Sequence, residues 1–215
     1  SIYIYAMGVK IENGEGIKRT DLYSISFFNY NTPLEECLDI TENGKLTNYT
    51  GNYSHLNIPT IFKGKTVVGL EPSVFKHSNL KYITLPETCQ TIGGYVFEYC
   101  ENLEFVYAPK VYKIYVSAFA YCNSLTFVTD CEPELGVTTG AYFPSLTETI
   151  GFTFNGCKNL ESVNLTKLAE FGYSLGYDFQ KCEKLTNVNL PAIKLIPIIP
   201  ANRKYRASAA GAHSR

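Results

Sequence analysis

Apolar residues recur along this chain in a unit of about 23 residues, seen most clearly at residues 80–102. The unit opens with an alternating stretch that Pro86 ends, continues through a turn with Gly93 and Gly94, and starts again at Leu103. Its recurring apolar positions are Leu80, Ile83, Leu85, Ile92, Val96, Phe97 and Cys100. An alternating run that ends in proline predicts a short strand. A repeated strand–turn unit predicts a stack of repeats.

Two columns of residues fix the register of the repeat. One column holds a phenylalanine in each unit: Phe75, Phe97, Phe119, Phe154 and Phe179. Three positions later stands a small residue: Ser78, Cys100, Cys122, Cys157 and Cys182. The intervals of the phenylalanine column are 22, 22, 35 and 25 residues, so the register continues through one long unit. We therefore assign residues 53–191 to a solenoid of about five to six repeats.

Side chains within each strand alternate between two faces. We expect Ile83 and Leu85 to point inward, and Tyr82 and Thr84 to point outward. Stacked strands of this kind form a parallel sheet. The return path of each unit then brings the phenylalanine column back against that sheet.

The two ends of the chain do not follow the repeat. Residues 1–52 are predicted to form a β-rich N-terminal cap, with one helical turn after Pro33. Within it, Asn43-Gly44 favours a hairpin because this pair tolerates positive φ. Residues 192–215 are predicted to form an apolar C-terminal cap followed by a basic, disordered tail.

The third unit is the exception in length, at 35 residues, and its extra residues lie near 130–144. Insertions in a solenoid emerge as loops on one face and often serve binding. A tolerated surface loop without a function is the alternative.

Composition limits the classes of partner. The 215 residues carry a net charge of −1, with only 18% charged residues, and they include 17 Tyr, 13 Phe and no Trp. No excess of positive charge favours nucleic acid. No apolar run approaches the roughly 20 residues that span a bilayer. We expect neither a nucleic-acid partner nor a membrane span.

The cysteine column is the clearest chemical pattern, and packing is its favoured explanation. A small polarizable side chain stands just before the next strand, where it also bonds backbone groups. Disulfide or metal pairing between neighbouring units is the alternative. However, Ser78 fills the same place, and no His or Asp accompanies the cysteines. We expect no metal and no cofactor.

The unit resembles the BspA-like leucine-rich repeat family. The shared motif stands here as Ile83-Thr84-Leu85-Pro86, Ile92-Gly93, Phe97, Cys100 and Leu103. The departures are Ser78 in place of Cys, Asp130-Cys131 in place of Leu-Pro, and Ile150 one place late. The resemblance implies a right-handed α/β-type solenoid, dominated by strands, with a parallel sheet on its concave side. It also implies a secreted or cell-surface protein that serves adhesion or partner binding and has no catalytic residues.

The outward strand positions form two columns that a partner would touch. One is His55, Tyr82, Phe105, Phe127, Ser162 and Asn187; the other is Asn57, Thr84, Tyr107, Thr129, Asn164 and Asn189. An exposed aromatic patch usually marks an interaction surface, although rings also pack on each other along a sheet. We predict a protein-binding site at Tyr82, Thr84, Phe105, Tyr107, Phe127 and Thr129. A second candidate is the row on the turns, which holds His77, Tyr99, Tyr121 and Lys181.

Two functions of different kinds fit this chain. The first is a non-catalytic protein-interaction module of a secreted or cell-surface protein. The second is a structural subunit that docks in a larger assembly or filament, with an intracellular location as the alternative. Glycan binding is disfavoured by the absence of Trp. We do not expect an enzyme, because no catalytic motif is present.

Overall fold

The computed structural model describes residues 33–171 and 175–193. The expectations for residues 1–32, and those for the C-terminal cap and tail beyond residue 193, lie outside the described residues. The described chain holds two four-residue helices, α1 (Leu34–Cys37) and α2 (Leu175–Asp178), and sixteen short strands. The strands are β1 (Asp39–Ile40), β2 (Lys45–Thr47), β3 (His55–Asn57), β4 (Ile61–Phe62), β5 (Lys65–Thr66), β6 (Gly69–Leu70), β7 (Tyr82–Thr84), β8 (Thr91–Ile92), β9 (Phe105–Tyr107), β10 (Lys113–Ile114), β11 (Phe127–Thr129), β12 (Gly140–Tyr142), β13 (Glu148–Thr149), β14 (Ser162–Asn164), β15 (Glu170–Phe171) and β16 (Asn187–Asn189).

Two seven-stranded sheets hold all strands except the antiparallel pair β4–β5. The front sheet has the order β3-β7-β9-β12-β11-β14-β16, and its strand pairs are all parallel. The back sheet has the order β1-β2-β6-β8-β10-β13-β15, and only its β1–β2 pair is antiparallel. The predicted leucine-rich repeat solenoid is therefore confirmed. The return path of each unit, expected only to pack against the front sheet, forms a second parallel sheet.

One apolar core lies between the two sheets. As predicted, Ile83 and Leu85 point into it and are buried. The phenylalanine rings form a continuous stack, with centroid distances of 5.7 Å for Phe75–Phe97, 5.0 Å for Phe97–Phe119, 5.4 Å for Phe119–Phe154 and 5.9 Å for Phe154–Phe179. Because each buried ring contributes roughly 1.5–3 kcal/mol, the units hold one another in place and none needs a core of its own.

The described part of the N-terminal region continues the solenoid. The predicted hairpin is confirmed as β1 and β2, with Gly44 in its turn at φ +75°. The predicted helical turn after Pro33 is α1. β2 then pairs in parallel with β6, where Leu46 stands opposite Leu70. Residues 45–47 thus supply the first parallel strand of the back sheet as well as one strand of the hairpin.

The long third unit contributes an extra strand to the front sheet. This strand, β12, pairs with β9 on one side and with β11 on the other. β9 and β11 are consecutive in the repeat but are not neighbours in the sheet. Phe97 and Phe119, which precede these two strands, still stack at 5.0 Å. The front sheet is therefore longer at this place, by one strand spacing of about 4.8 Å, than the ring stack behind it.

Candidate binding surface

The outward rows of the front sheet have the predicted register. Tyr82 stands beside Phe105, and Thr84 stands beside Tyr107. Farther along, the outward residues of β11 and β14 pair in the same way. β12 adds two members that the sequence pattern missed: Gly140 beside Phe105 and Tyr142 beside Tyr107. The motif that marks them is Phe143-Pro144, which repeats the Leu85-Pro86 ending of a strand.

The centre of this face is buried, so the expectation of an exposed aromatic strip is wrong there. Phe105 is 6% exposed and Tyr107 is 8% exposed, although both point outward. Together with Tyr142 they form a second hydrophobic cluster, separate from the main core. The side chains packed against its edge are Tyr82, Phe127 and Val137. Ring packing along the sheet, the alternative explanation, accounts for the middle of the face.

The cover of this cluster is the strap, residues 131–139, which joins β11 to β12. Val137 packs on the aromatic cluster, and the Tyr107 hydroxyl donates a hydrogen bond of 2.8 Å to the Glu132 carboxylate. These two anchors contribute about 2–3 kcal/mol together. Ordering a residue of loop costs about 1–2 kcal/mol, so these two anchors offset the cost of ordering only part of the strap.

The first end of the strap is fixed by Asp130, which is 7% exposed. Its carboxylate accepts hydrogen bonds from the Thr166 N–H at 2.5 Å, the Thr166 hydroxyl at 2.7 Å and the Lys167 N–H at 3.1 Å. Asp130 occupies the place of Leu85 in the repeat, so this departure from the motif replaces an apolar contact with a polar link to the next unit. The sequence showed that Asp130 stands where the motif has an apolar residue, but it did not show that Thr166 and Lys167 bind the carboxylate.

The half-exposed part of the face begins at Tyr82. Its hydroxyl donates to the Glu104 carboxylate at 3.0 Å, and the His55 ring stacks on it at 4.4 Å. Burial and the neighbouring Glu104 carboxylate raise the pKa of Tyr82. Burial, together with the charge of Lys81, lowers the pKa of His55 below its usual 6.5. Both side chains are therefore uncharged at neutral pH, and this end of the face offers two neutral rings beside the charged Glu104 and Lys81 side chains.

The rest of the face is polar and follows the strand register. The Thr84 hydroxyl donates to the Asn57 side chain, and the Asn189 amide donates to Asn164 at 2.7 Å. On β11, Thr129 accepts a hydrogen bond of 3.2 Å from the N–H of Cys131. Of the six predicted site residues, four are half-buried and accessible from solvent: Tyr82, Thr84, Phe127 and Thr129. The structure brings all six onto one face and covers the other two.

The cysteine column packs as predicted. Each thiol donates to the phenylalanine carbonyl of the preceding unit: Cys100 to Phe75 at 3.0 Å, and Cys122 to Phe97, Cys157 to Phe119 and Cys182 to Phe154 at 3.1 Å each. The Ser78 hydroxyl, at the same place in the first unit of the column, lies 3.3 Å from the Cys100 sulfur of the next unit. In the part of the chain that the structure describes, no group of three His, Cys, Asp or Glu side chains is placed to hold a metal ion.

The second candidate row lies on the turns that precede strands of the front sheet. His77, Tyr99, Tyr121 and Lys181 all adopt φ near +60°. The rings stack in parallel, at 5.0 Å for His77–Tyr99 and 4.6 Å for Tyr99–Tyr121. The Lys181 ammonium lies 5.9 Å from the centroid of the Tyr121 ring. Since stacked rings cover each other's faces, this row presents mainly ring edges to solvent.

The repeat places the chain in a known class. It belongs to the BspA-type leucine-rich repeat family, whose pattern matches residues 22–132 and 138–199 in six copies. Leucine-rich repeat proteins are typically interaction modules without enzymatic activity. No curated protein matches the sequence.

One solved structure supports the same fold, and a second is similar over a large part of the chain. A leucine-rich repeat protein of T. pallidum is 20% identical, with a TM-score of 0.52 over 74% of this chain and 80% of that chain. A leucine-rich cell surface protein of Faecalibacterium prausnitzii is 21% identical, with a TM-score of 0.38 over 72% of this chain and 52% of that chain. Within the described residues, no helix has the length and apolar character needed to cross a membrane.

Proposed function

We propose that this chain is a non-catalytic interaction module of a secreted or cell-surface protein, which adheres to or recognises a partner protein through the front face. The observation that carries the proposal is the pair of outward rows, which run in register across the parallel front sheet. These rows offer rings and hydroxyls without unpaired charge, a combination that suits a protein partner. Membership of the BspA-type family supports the same function.

The contact residues we propose are the accessible members of the predicted site. Tyr82 and Phe127 are half-buried rings at the two sides of the aromatic cluster, and Thr84 and Thr129 lie beside them in the second row. Rings held by packing lose little conformational entropy on binding, which makes them effective anchors. Phe105 and Tyr107 lie beneath the strap, between Tyr82 and Phe127, and support these two rings.

The test is site-specific photocrosslinking in the native cell, followed by reconstitution. A photoreactive phenylalanine analogue at position 129 should capture a protein, and the same analogue at position 91, on the back sheet, should not. The captured protein should bind the purified chain and lose at least tenfold in affinity with Tyr82→Ala or Phe127→Ala. Capture from position 91 alone, or unchanged affinity in correctly folded variants, would exclude the front face.

Structural assembly is the second candidate function. Among the described residues, β16 pairs with β14 and has no strand on its other side, and its Asn187 and Asn189 are exposed. An exposed edge strand is a template for pairing with another chain. Sedimentation velocity across micromolar to millimolar concentrations tests this candidate. A chain that stays monomeric throughout argues against end-to-end docking of copies.

A further inference from the structure

The strap indicates the chemistry that the centre of the front face accepts. An aliphatic side chain, Val137, lies against the aromatic cluster. On one side of it the Glu132 carboxylate accepts the hydrogen bond from Tyr107. On the other side the Thr138 side chain lies near the Tyr82 hydroxyl. The strap therefore occupies the face through one apolar side chain between polar ones, with a β-turn at residues 134–137, in which the Val137 N–H donates to the Glu134 carbonyl at 3.2 Å.

The tip of the strap is not engaged in this contact. Leu135, at its tip, is 77% exposed, and a side chain on Gly136 would meet no atom within 4 Å. The rings beneath the strap continue outward rows whose flanking members are half-exposed. The covered cluster is thus the middle of one face rather than a separate core.

We propose that the strap occupies the binding site of a segment from a partner protein, and that this segment displaces the strap when it binds. The segment is a short, acidic stretch of protein that makes the same turn, with a β-branched aliphatic side chain at the position of Val137 and a carboxylate at the position of Glu132. This inference rests on the proposed function, since it names the partner chemistry of the same face. A tethered segment has a high effective concentration, so the strap keeps the face closed until a partner with additional contacts competes for it.

Nitration of tyrosines by tetranitromethane, mapped by mass spectrometry on the full chain, tests the first half of the proposal. In the wild-type protein, Tyr107 should react at least tenfold more slowly than Tyr95 and Tyr99, which are 39% and 38% exposed. Val137→Asp places a charge against the aromatic cluster and should raise the rate at Tyr107 by tenfold or more. Leu135→Asp, the matched control in the same loop, should leave Tyr107 protected.

A synthetic peptide with the sequence of residues 132–139 tests the second half. At millimolar concentration it should restore protection of Tyr107 in the Val137→Asp protein, because it supplies the missing contacts in trans. The same peptide with aspartate in place of its valine should not. Protection restored by both peptides would show a contact without the proposed side-chain requirement and would overturn the ligand class.

The other outcomes are equally decisive. If Tyr107 stays protected in a Val137→Asp protein with unchanged circular dichroism, the strap is a fixed part of the fold and the proposal fails. If Tyr107 reacts but neither peptide protects it, the strap opens and the ligand class is wrong. Should Val137→Asp not fold, Val137→Ala replaces it in the same comparison. Neither measurement involves the native partner, so these failures are distinct from a failure of the crosslinking experiment.

Discussion

The Phe127 ring lies across the backbone of Gly140, and a methyl group built on Gly140 would stand 2.3 Å from two of its ring carbons. Gly140 has φ +92°, in the region that favours glycine. Through the space it leaves, the Phe127 ring reaches Tyr142 with a centroid distance of 5.5 Å. The absence of a side chain at Gly140 thus lets β12 fit between β9 and β11.

Replacing Gly140 by alanine should test this relationship directly. We expect Gly140→Ala to lower the free energy of unfolding by about 2–4 kcal/mol, from positive-φ strain and overpacking against the ring. Gly136→Ala is the control, because Gly136 has φ +84° but no atom near the new methyl. It should lose only the strain contribution, about 1–2 kcal/mol. Equal losses in urea unfolding would contradict the importance of the ring contact.

The carboxylate of Asp130 offers a second test, at the first end of the strap. Asp130→Ala should cost about 2–4 kcal/mol of unfolding free energy, because it leaves the N–H groups of Thr166 and Lys167 without their acceptor. Asp130→Asn keeps one acceptor oxygen and should cost less. Chemical unfolding of the two variants checks this order. If Asp130→Asn is the more damaging change, the hydrogen bonds are not what fixes this corner.

The positions that repeat were predictable from the sequence, because a strand places alternate side chains on opposite faces. This period of two predicted that Ile83 and Leu85 point inward and that Tyr82 and Thr84 point outward. The recurring phenylalanine and cysteine columns predicted the register between strands. The face on which a residue lies, and its partner on the next strand, both follow from the repeat itself. They needed no knowledge of the insertion.

The strand order and the cover of the face were not predictable in the same way. β12 contains Gly140-Ala141, which lacks the apolar alternation of the other strands, and it enters the sheet out of sequence order. Its place depends on the contact between Phe127 and Gly140, which only the folded chain brings together. Likewise, the burial of Phe105 follows from the strap folding back over the sheet.

Thiol reactivity provides a third prediction. Among the seven cysteines, only Cys131 is exposed. Burial raises the pKa of Cys89 to about 12 and that of Cys100 to about 11, so these thiols are protonated and shielded. Under native conditions, a disulfide reagent should label one thiol per chain rapidly, and seven in denaturant. Cys131→Ser should abolish the rapid reaction; two or more fast thiols in the wild type would contradict the packed cysteine column.

One buried carboxyl group makes stability depend on pH. Asp178 is 1% exposed, and its Oδ1 accepts a 3.1 Å hydrogen bond from the Thr153 N–H. Burial raises its pKa to about 6, although the Thr149 and Thr153 hydroxyls nearby oppose this shift. Within the described residues, those two hydroxyls and Asp178 Oδ2 make no hydrogen bond. In the sequence, Ile150 stands one position after the place that Ile92 holds in its own unit. The structure puts Thr149 at that place, in β13, and buries it beside this carboxyl.

The pKa of Asp178 predicts the sign of that dependence. Between the unfolded value of 3.8 and about 6, the folded chain binds more protons than the unfolded chain, so stability falls as pH rises through this window. A shift of this size corresponds to about 3 kcal/mol. Asp178→Asn keeps the oxygen that accepts from Thr153 and removes the titration. The free energy of unfolding of the wild type minus that of Asp178→Asn should therefore decrease from pH 4 to pH 6.5 and stay constant above. A difference that is flat, or that rises with pH, would show that the carboxyl is not held in this environment.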